Sequence, residues 1–412
     1  MPGYRPNTIH QRRGAEARRS FGEDPISHKP YCPHYPQCVG CPLIDVPYPE
    51  QLARKRAIVR EAFSAYPALE GVEVPPVIAS PQRLGYRARV KLVVRKNRNS
   101  VAAGLYVPQS HRVIDISACP VHPQPVNQVV SYLKKKILEL AIAPYDERDD
   151  SGNLRYLDLR YSATRREVSV TLITRHSGFP QGALLGRSLQ QRFSFVSGVI
   201  QNVNAQRGNV IWGPSFRTLS GRDTILERVG DLKLVFPPGV FSQANPFTAR
   251  KLYEHVCEVA ALRGDETVLD LYCGVGPISL YLARGARQVW AVDDSEPAIS
   301  SAKQNARRNG RGNCRFVAGD VAATAAQLQR TLSQIDLAVI NPPRKGVQPA
   351  ALTSIIKVNA PKLIYVSCDP SSLARDLDRL VAAGYRVARV QAFDMFPQTE
   401  EVENVVLLLK GR

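Results

Sequence analysis

The sequence predicts an α/β protein in which a Rossmann-like, doubly wound domain follows a smaller β-rich domain that carries a cluster of cysteines. From about residue 231 onward, short apolar runs alternate with helical stretches, the rhythm of a parallel sheet with crossover helices. Between 81 and about 230 the runs are short, strand-like and separated by turn residues. Ahead of both, Cys32, Cys38 and Cys41 lie close together, with Cys119 far downstream. A chain of 412 residues holds two or three domains at roughly 150 residues each. Its 44% hydrophobic content is ample for their cores.

In chain order, residues 1–30 place Arg5, Arg12, Arg13, Arg18, Arg19 and Lys29 among Gly, Pro and Ser. This reads as a disordered basic tail, either an auxiliary RNA contact or a solvated terminus. The whole chain has 55 Lys plus Arg against 36 Asp plus Glu, a charge of +19, which attracts polyanions and makes nucleic acid the first partner to test. No run reaches about 18 apolar residues, and residues 1–20 lack a signal peptide's apolar centre, so neither a membrane nor secretion is expected. Eight unevenly spaced cysteines suit a reducing, cytoplasmic compartment rather than a disulfide scaffold.

Pro49 to Leu69 has helical spacing in Leu52, Ile58, Val59 and Phe63, ending near Pro67. Strands are expected over 88–94, 100–106, 156–161, 167–174 and 195–203. Arg83, Arg87, Arg89, Lys91, Arg95, Lys96, Arg98 and Arg112 face a single acid, Asp115, between Pro81 and Pro120, with Tyr86 and Tyr106 interleaved. Alternation on a strand puts several of these cations on one face, suited to phosphates, and the tyrosines can stack on unpaired bases. An exposed polar sheet face is the plainer alternative. These features divide the chain into a tail (1–30), a cysteine-bearing β-rich RNA-binding domain (31–230) and a Rossmann-like domain (231–412).

In the last domain, strands are expected over 268–271, 288–292, 314–317, 335–340, 362–366, 387–393 and 405–409, with a helix over 298–309 between two of them. The first runs into Asp270 to Pro277 (DLYCGVGP), where Gly274 and its neighbours let the backbone turn tightly and approach a ligand. Asp293 lies 19 residues beyond Gly274, placed to accept ribose hydroxyls. A nucleoside cofactor follows. Ser279 stands where the dinucleotide fingerprint requires its third glycine, and the acid before the turn with a proline after it resembles motif I of S-adenosylmethionine methyltransferases, so that cofactor is favoured over NAD. On that reading Asp320 approaches the adenine amino group.

Asn341-Pro342-Pro343-Arg344 ends the fourth strand, and Arg344 replaces the aromatic residue that amino-methyltransferases carry there. Cys368 ends the fifth strand beside the cofactor crevice, a candidate nucleophile set against the commoner fate of a small core residue. Glu403 opens the final strand and either returns its carboxylate to that crevice or stays solvated.

Five motifs in order, 241–246 (FSQANP), 270–277, 340–346 (INPPRKG), 365–377 (YVSCDPSSLARDL) and 394–403 (DMFPQTEEVE), resemble the RNA uracil-C5-methyltransferase family over about residues 31–410. The resemblance implies that Gln243, Tyr272, Asp293 and Asn341 contact S-adenosylmethionine, that Cys368 is the nucleophile and that Glu403 is the base. It implies a 4Fe-4S cluster on Cys32, Cys38, Cys41 and Cys119, where spacing alone leaves zinc and iron-sulfur open. The likeness is to the shorter ribosomal-RNA members, which points to 23S rRNA; the same reaction on tRNA, and a non-catalytic RNA-binding assembly factor, are the alternatives. No protein partner is indicated. The family commonly has histidines at positions 398 and 401, and many members have Glu at 293. RNA cytosine-C5 enzymes carry a second cysteine beside the fourth-strand prolines, which this chain lacks.

Overall fold

The computed structural model describes residues 30–208 and 210–411, so the basic tail expected over 1–30 lies outside the described residues but for Pro30. Regular structure opens with α1 (Tyr48–Ser64). A seven-stranded sheet follows, built from β1 (Arg89–Asn97), β2 (Ser100–Tyr106), β3 (Val113–Asp115), β4 (Leu154–Ser162), β5 (Glu167–Thr174), β6 (Val196–Val203) and β7 (Ser215–Gly221) in the order β3-β2-β1-β4-β5-β6-β7. Two helices absent from the sequence reading, α2 (Gln124–Glu139) and α3 (Gly182–Arg192), cover one face. Val126, Val129, Val130, Leu133 and Ile137 give α2 its buried stripe at helical spacing. Every pairing is antiparallel except β5 with β6, the one pair whose strands α3 joins as a crossover.

A hairpin of β8 (Ile225–Val229) and β9 (Leu232–Phe236) leads into the second half. There α4 (Pro246–Ala260), β10 (Thr267–Leu271), α5 (Pro277–Leu282), β11 (Gln288–Asp293), α6 (Glu296–Arg308), β12 (Cys314–Ala318), α7 (Val321–Thr331), β13 (Leu337–Ile340), α8 (Pro349–Val358), β14 (Lys362–Ser367), α9 (Pro370–Ala382), β15 (Tyr385–Phe393) and β16 (Glu403–Lys410) form a Rossmann-like α/β unit. Its sheet order is β12-β11-β10-β13-β14-β16-β15. Strands β10 to β14 are parallel, and β16 runs antiparallel to both β14 and β15. The order reverses at β10, so the crevice above the carboxyl ends of β10, β11 and β13 is the natural ligand position.

The first helix belongs with this second core. Val59, Phe63, Leu69, Val74 and Val77 share an apolar cluster with Leu271, Ile340 and Tyr365, whereas the sequence grouped them with the β-rich segment. No helix among the described residues is long and apolar enough to cross a membrane.

Candidate functional site

The carboxyl ends of the parallel strands gather most of the cofactor residues expected from sequence. Tyr272 and Gly274 follow β10, both with left-handed backbone (φ 62° and 56°). A Cβ placed on Gly274 would meet no atom within 4 Å, so open space lies over this turn, as a bound ligand needs. Asp293, at the end of β11, accepts the Gly274 N–H at 2.8 Å and the Ser295 N–H at 3.0 Å. These bonds fix the carboxylate against the turn and leave each oxygen a further lone pair for a ribose hydroxyl. Asn341 reaches the same place through its N–H to Leu271 O at 3.2 Å.

Asp320 is an exposed N-cap of α7, accepting the Ala323 N–H at 2.8 Å, and its charge is felt at Tyr272. Asp294 is felt there too, an acid that the sequence reading passed over although it adjoins Asp293. Gln243 is half-buried in the segment before α4, and no hydrogen bond ties it to the strand ends. The turn with its acids thus fits a nucleoside cofactor.

Asp270 lies beneath, fully buried, accepting the Ser279 hydroxyl at 2.5 Å while its Oδ1 finds no partner. Burial pushes its carboxyl up to about 7. An unfolded aspartate titrates near about 4, so between these values the folded protein holds a proton that the unfolded chain releases, and this group's contribution falls as pH rises. Asp270→Asn keeps the neutral form and is expected to gain thermal stability relative to the parent between about pH 5 and pH 8, measured by melting at both.

Cys368 stands one residue beyond β14, half-buried. The β14–β16 ladder ends at Ser367 opposite Asn404, which sets Cys368 and Glu403 facing each other one step further on. Glu403 is 3% exposed, and burial followed by repulsion from Glu401 raises its carboxyl to about 8. Burial, then the Glu403 charge, pushes the Cys368 thiol up to about 11, while the Arg344 guanidinium pulls it down. Arg344 Nη1 pairs with Glu401 Oε1 at 3.0 Å, and its Nε lies 3.6 Å from Asp369, which caps α9 by accepting the Ser372 N–H at 2.8 Å. The sequence treated Arg344 only as a missing aromatic; its role as the cation beside the thiol needed the fold. Because Arg344 is 64% exposed and screened, Arg344→Ala should slow alkylation of Cys368 by iodoacetamide near neutral pH only by roughly two- to fivefold.

The loop from Asp394 to Glu403 is held from beneath by the N-terminal segment. The Lys55 ammonium, fully buried, donates to Asp394 Oδ1 at 2.5 Å and to Phe396 O at 2.9 Å, and the Tyr48 hydroxyl donates to Asp394 Oδ2 at 2.7 Å. Gln51 and Gln398 exchange hydrogen bonds, both at 2.9 Å, and Gln398 has a left-handed backbone at φ 71°. The Leu43 N–H donates to Gln398 O at 3.0 Å. Gln398, a departure from the resembling family, therefore has its own partner in α1.

The four expected cluster cysteines neighbour one another without forming a ligating group: among the described residues, no three or more His, Cys, Asp or Glu side chains are placed to hold a metal ion. Each of Cys32, Cys38 and Cys119 is felt at Cys41, which burial pushes up to about 12, and Cys119 is likewise raised to about 11. A metal would need these thiols as thiolates. Backbone N–H groups nevertheless aim at sulfur, from Gly40 to Cys38 at 3.5 Å and from Val121 and His122 to Cys119, the hydrogen bonding that sulfur ligands of iron accept. The donor chemistry fits iron-sulfur; the spacing does not assemble it.

The tRNA (Uracil-5-)-methyltransferase family matches residues 219–411. An uncharacterized RNA methyltransferase of Geobacter sulfurreducens is 40% identical over 93% of this chain and 77% of its own, and one from Clostridium tetani is 36% identical over 92% and 82%. Among solved structures, the Pyrococcus abyssi tRNA (uracil-54, C5)-methyltransferase in complex with S-adenosyl-L-homocysteine superposes with a TM-score of 0.73 at 30% identity, over 90% of this chain and 85% of that one.

Proposed function

Because the chain belongs to the RNA uracil-5-methyltransferase family, an RNA-modifying, S-adenosylmethionine-dependent enzyme, we propose that it methylates uridine C5 in 23S rRNA through Cys368 and Glu403. The observation that carries this is the pairing of a thiol and a buried carboxyl across the end of the β14–β16 ladder, at the carboxyl edge of the sheet.

Uracil C5 is a weak nucleophile. Addition of the Cys368 thiolate at C6 turns the ring into an enolate with nucleophilic C5. S-adenosylmethionine, when bound, supplies an electrophilic methyl; Tyr272, Gly274, Asp293, Asp320 and Asn341 would hold it, with Gln243 from the preceding segment. C5 then still carries its hydrogen. The Glu403 carboxylate removes that proton, the C6–S bond breaks, the ring recovers its double bond, and Cys368 leaves as thiolate. Arg344 stabilises the thiolate at both ends of the cycle. The target uridine must stand out of its stack to reach the crevice.

The rRNA target rests on the motif likeness to the shorter ribosomal members. The tRNA substrate named for the P. abyssi protein favours the second reading. A 4Fe-4S cluster on Cys32, Cys38, Cys41 and Cys119 is proposed as a structural brace; protein purified without oxygen should be brown, with a visible absorption band that chelation bleaches, and a colourless zinc protein would overturn it. The reaction is tested by methyl transfer from labelled S-adenosylmethionine to total RNA, followed by nucleoside digestion. Label in 5-methyluridine from 23S rRNA supports the proposal. Label confined to tRNA keeps the chemistry and moves the target, and no label with cofactor binding intact favours a non-catalytic RNA-binding factor.

A further inference from the structure

We propose that Trp212, Phe216 and Lys91 form a stacking site for an unpaired nucleotide that flanks the target uridine. This rests on the reading of the reaction given above and extends it to a part of the RNA that the chemistry does not touch.

Trp212 and Phe216 lie with ring centroids 5.9 Å apart at 34°, and Phe216 is 39% exposed at the start of β7, an outer strand of the β-rich sheet. Folding alone gives little reason to leave such a ring open, whereas every base presents a face that can stack on one. Cations flank the pair: Arg89 and Lys91 each stand 5.7 Å from the Trp212 centroid. Arg89 is occupied, donating to Asp158 at 3.2 Å and to Val240 O at 3.0 Å. Lys91 is exposed and has no acidic partner among the described residues. Arg89 and Arg160, both largely buried, take up Asp158, which leaves Lys91 as the cation open to a phosphate. Flat aromatic faces beside an exposed, unpaired lysine select single-stranded nucleic acid over a protein surface or a duplex.

The platform is continuous with the segment that enters the catalytic domain. The Phe216 ring rests on Gly239, where an added Cβ would come within 2.7 Å of it, and Arg89 and Arg160 both donate to the next carbonyl, Val240 O. Beyond Phe241 and Gln243, Asn245 donates to Met395 O at 3.2 Å, on the loop that leads to Glu403. A base on Phe216 therefore sits against the same backbone segment that carries Gln243.

The chain has two tryptophans, so Trp290→Phe leaves Trp212 as the sole indole reporter. Titration with a short uridine-containing single strand should quench it saturably, and the matching duplex should not. Phe216→Ala and Trp212→Ala should each raise KM for RNA by about tenfold with kcat and cofactor affinity unchanged, and Trp212→Phe should restore KM. Unquenched Trp212, equal quenching by duplex, or an unaltered KM in Phe216→Ala and Lys91→Ala overturns the site while leaving the reaction standing. Quenching by single strands from a parent protein that methylates no RNA keeps the site and removes the reaction.

Discussion

Cys368→Ala is expected to retain S-adenosylmethionine binding and to lose methyl transfer by about 10⁴-fold or more, since removing a covalent nucleophile disables the whole sequence of steps. The residue is half-buried beyond the end of β14 and bonds to no part of the cofactor turn, so cofactor affinity by calorimetry should not move. Glu403→Gln should cost about 10²- to 10⁴-fold in turnover, the range of a positioned general base, but with a different signature. Thiolate addition and methylation need no base at C5, so the methylated ring remains attached to Cys368. Denaturing electrophoresis should show a protein–RNA adduct carrying labelled methyl in Glu403→Gln and none in Cys368→Ala. An adduct in neither would remove Glu403 from the proposed role. Because the Glu403 carboxyl stands near 8, the parent's kcat should rise as pH climbs through that value, carboxylate being the working form, and the adduct yield of the glutamine variant should lack that inflection.

Lys55→Met is expected to destabilise the protein by about 3–5 kcal/mol, the cost of leaving one half of a fully buried ion pair uncompensated. Asp394 would keep only the Tyr48 hydroxyl, and Phe396 O would be left with its two bonds from Thr399. Denaturant unfolding measures the loss. The double replacement Lys55→Met with Asp394→Leu should recover part of that stability, because no charge then stays buried, yet methyl transfer should remain low since the loop bearing Glu401 and Glu403 has lost its anchor. Full recovery of both would mean that the pair does not position the loop.

The second half was legible because parallel strands buried on both faces print as apolar runs and their ends print as motifs: β10 to β14 fall within a few residues of the sequence reading, and Cys368 and Glu403 lie at the strand ends where that reading put them. Strands β3 and β7 were not, being short or lined with exposed residues that give no alternation. Half of the basic ladder of β1 turned inward to local work. Arg89 joins Asp158 and Val240, and Arg95 joins Tyr106 and Glu147, leaving Lys91 and Lys96 open. The support of the catalytic loop by Tyr48, Gln51 and Lys55 could not be read, since nothing local marks a lysine whose partner lies 339 positions away.

That separation has a consequence for how the protein is made. Lys55 emerges from the ribosome at a point when Asp394 has yet to be translated, and at about 5–20 residues per second the gap is roughly 17–70 s. Throughout that interval the Lys55 ammonium has no carboxylate to pair with, although apolar partners of α1 such as Leu271 and Ile340 are made sooner. The Lys55–Asp394 pair, and with it the anchor of the loop that carries Glu403, therefore forms only as synthesis ends.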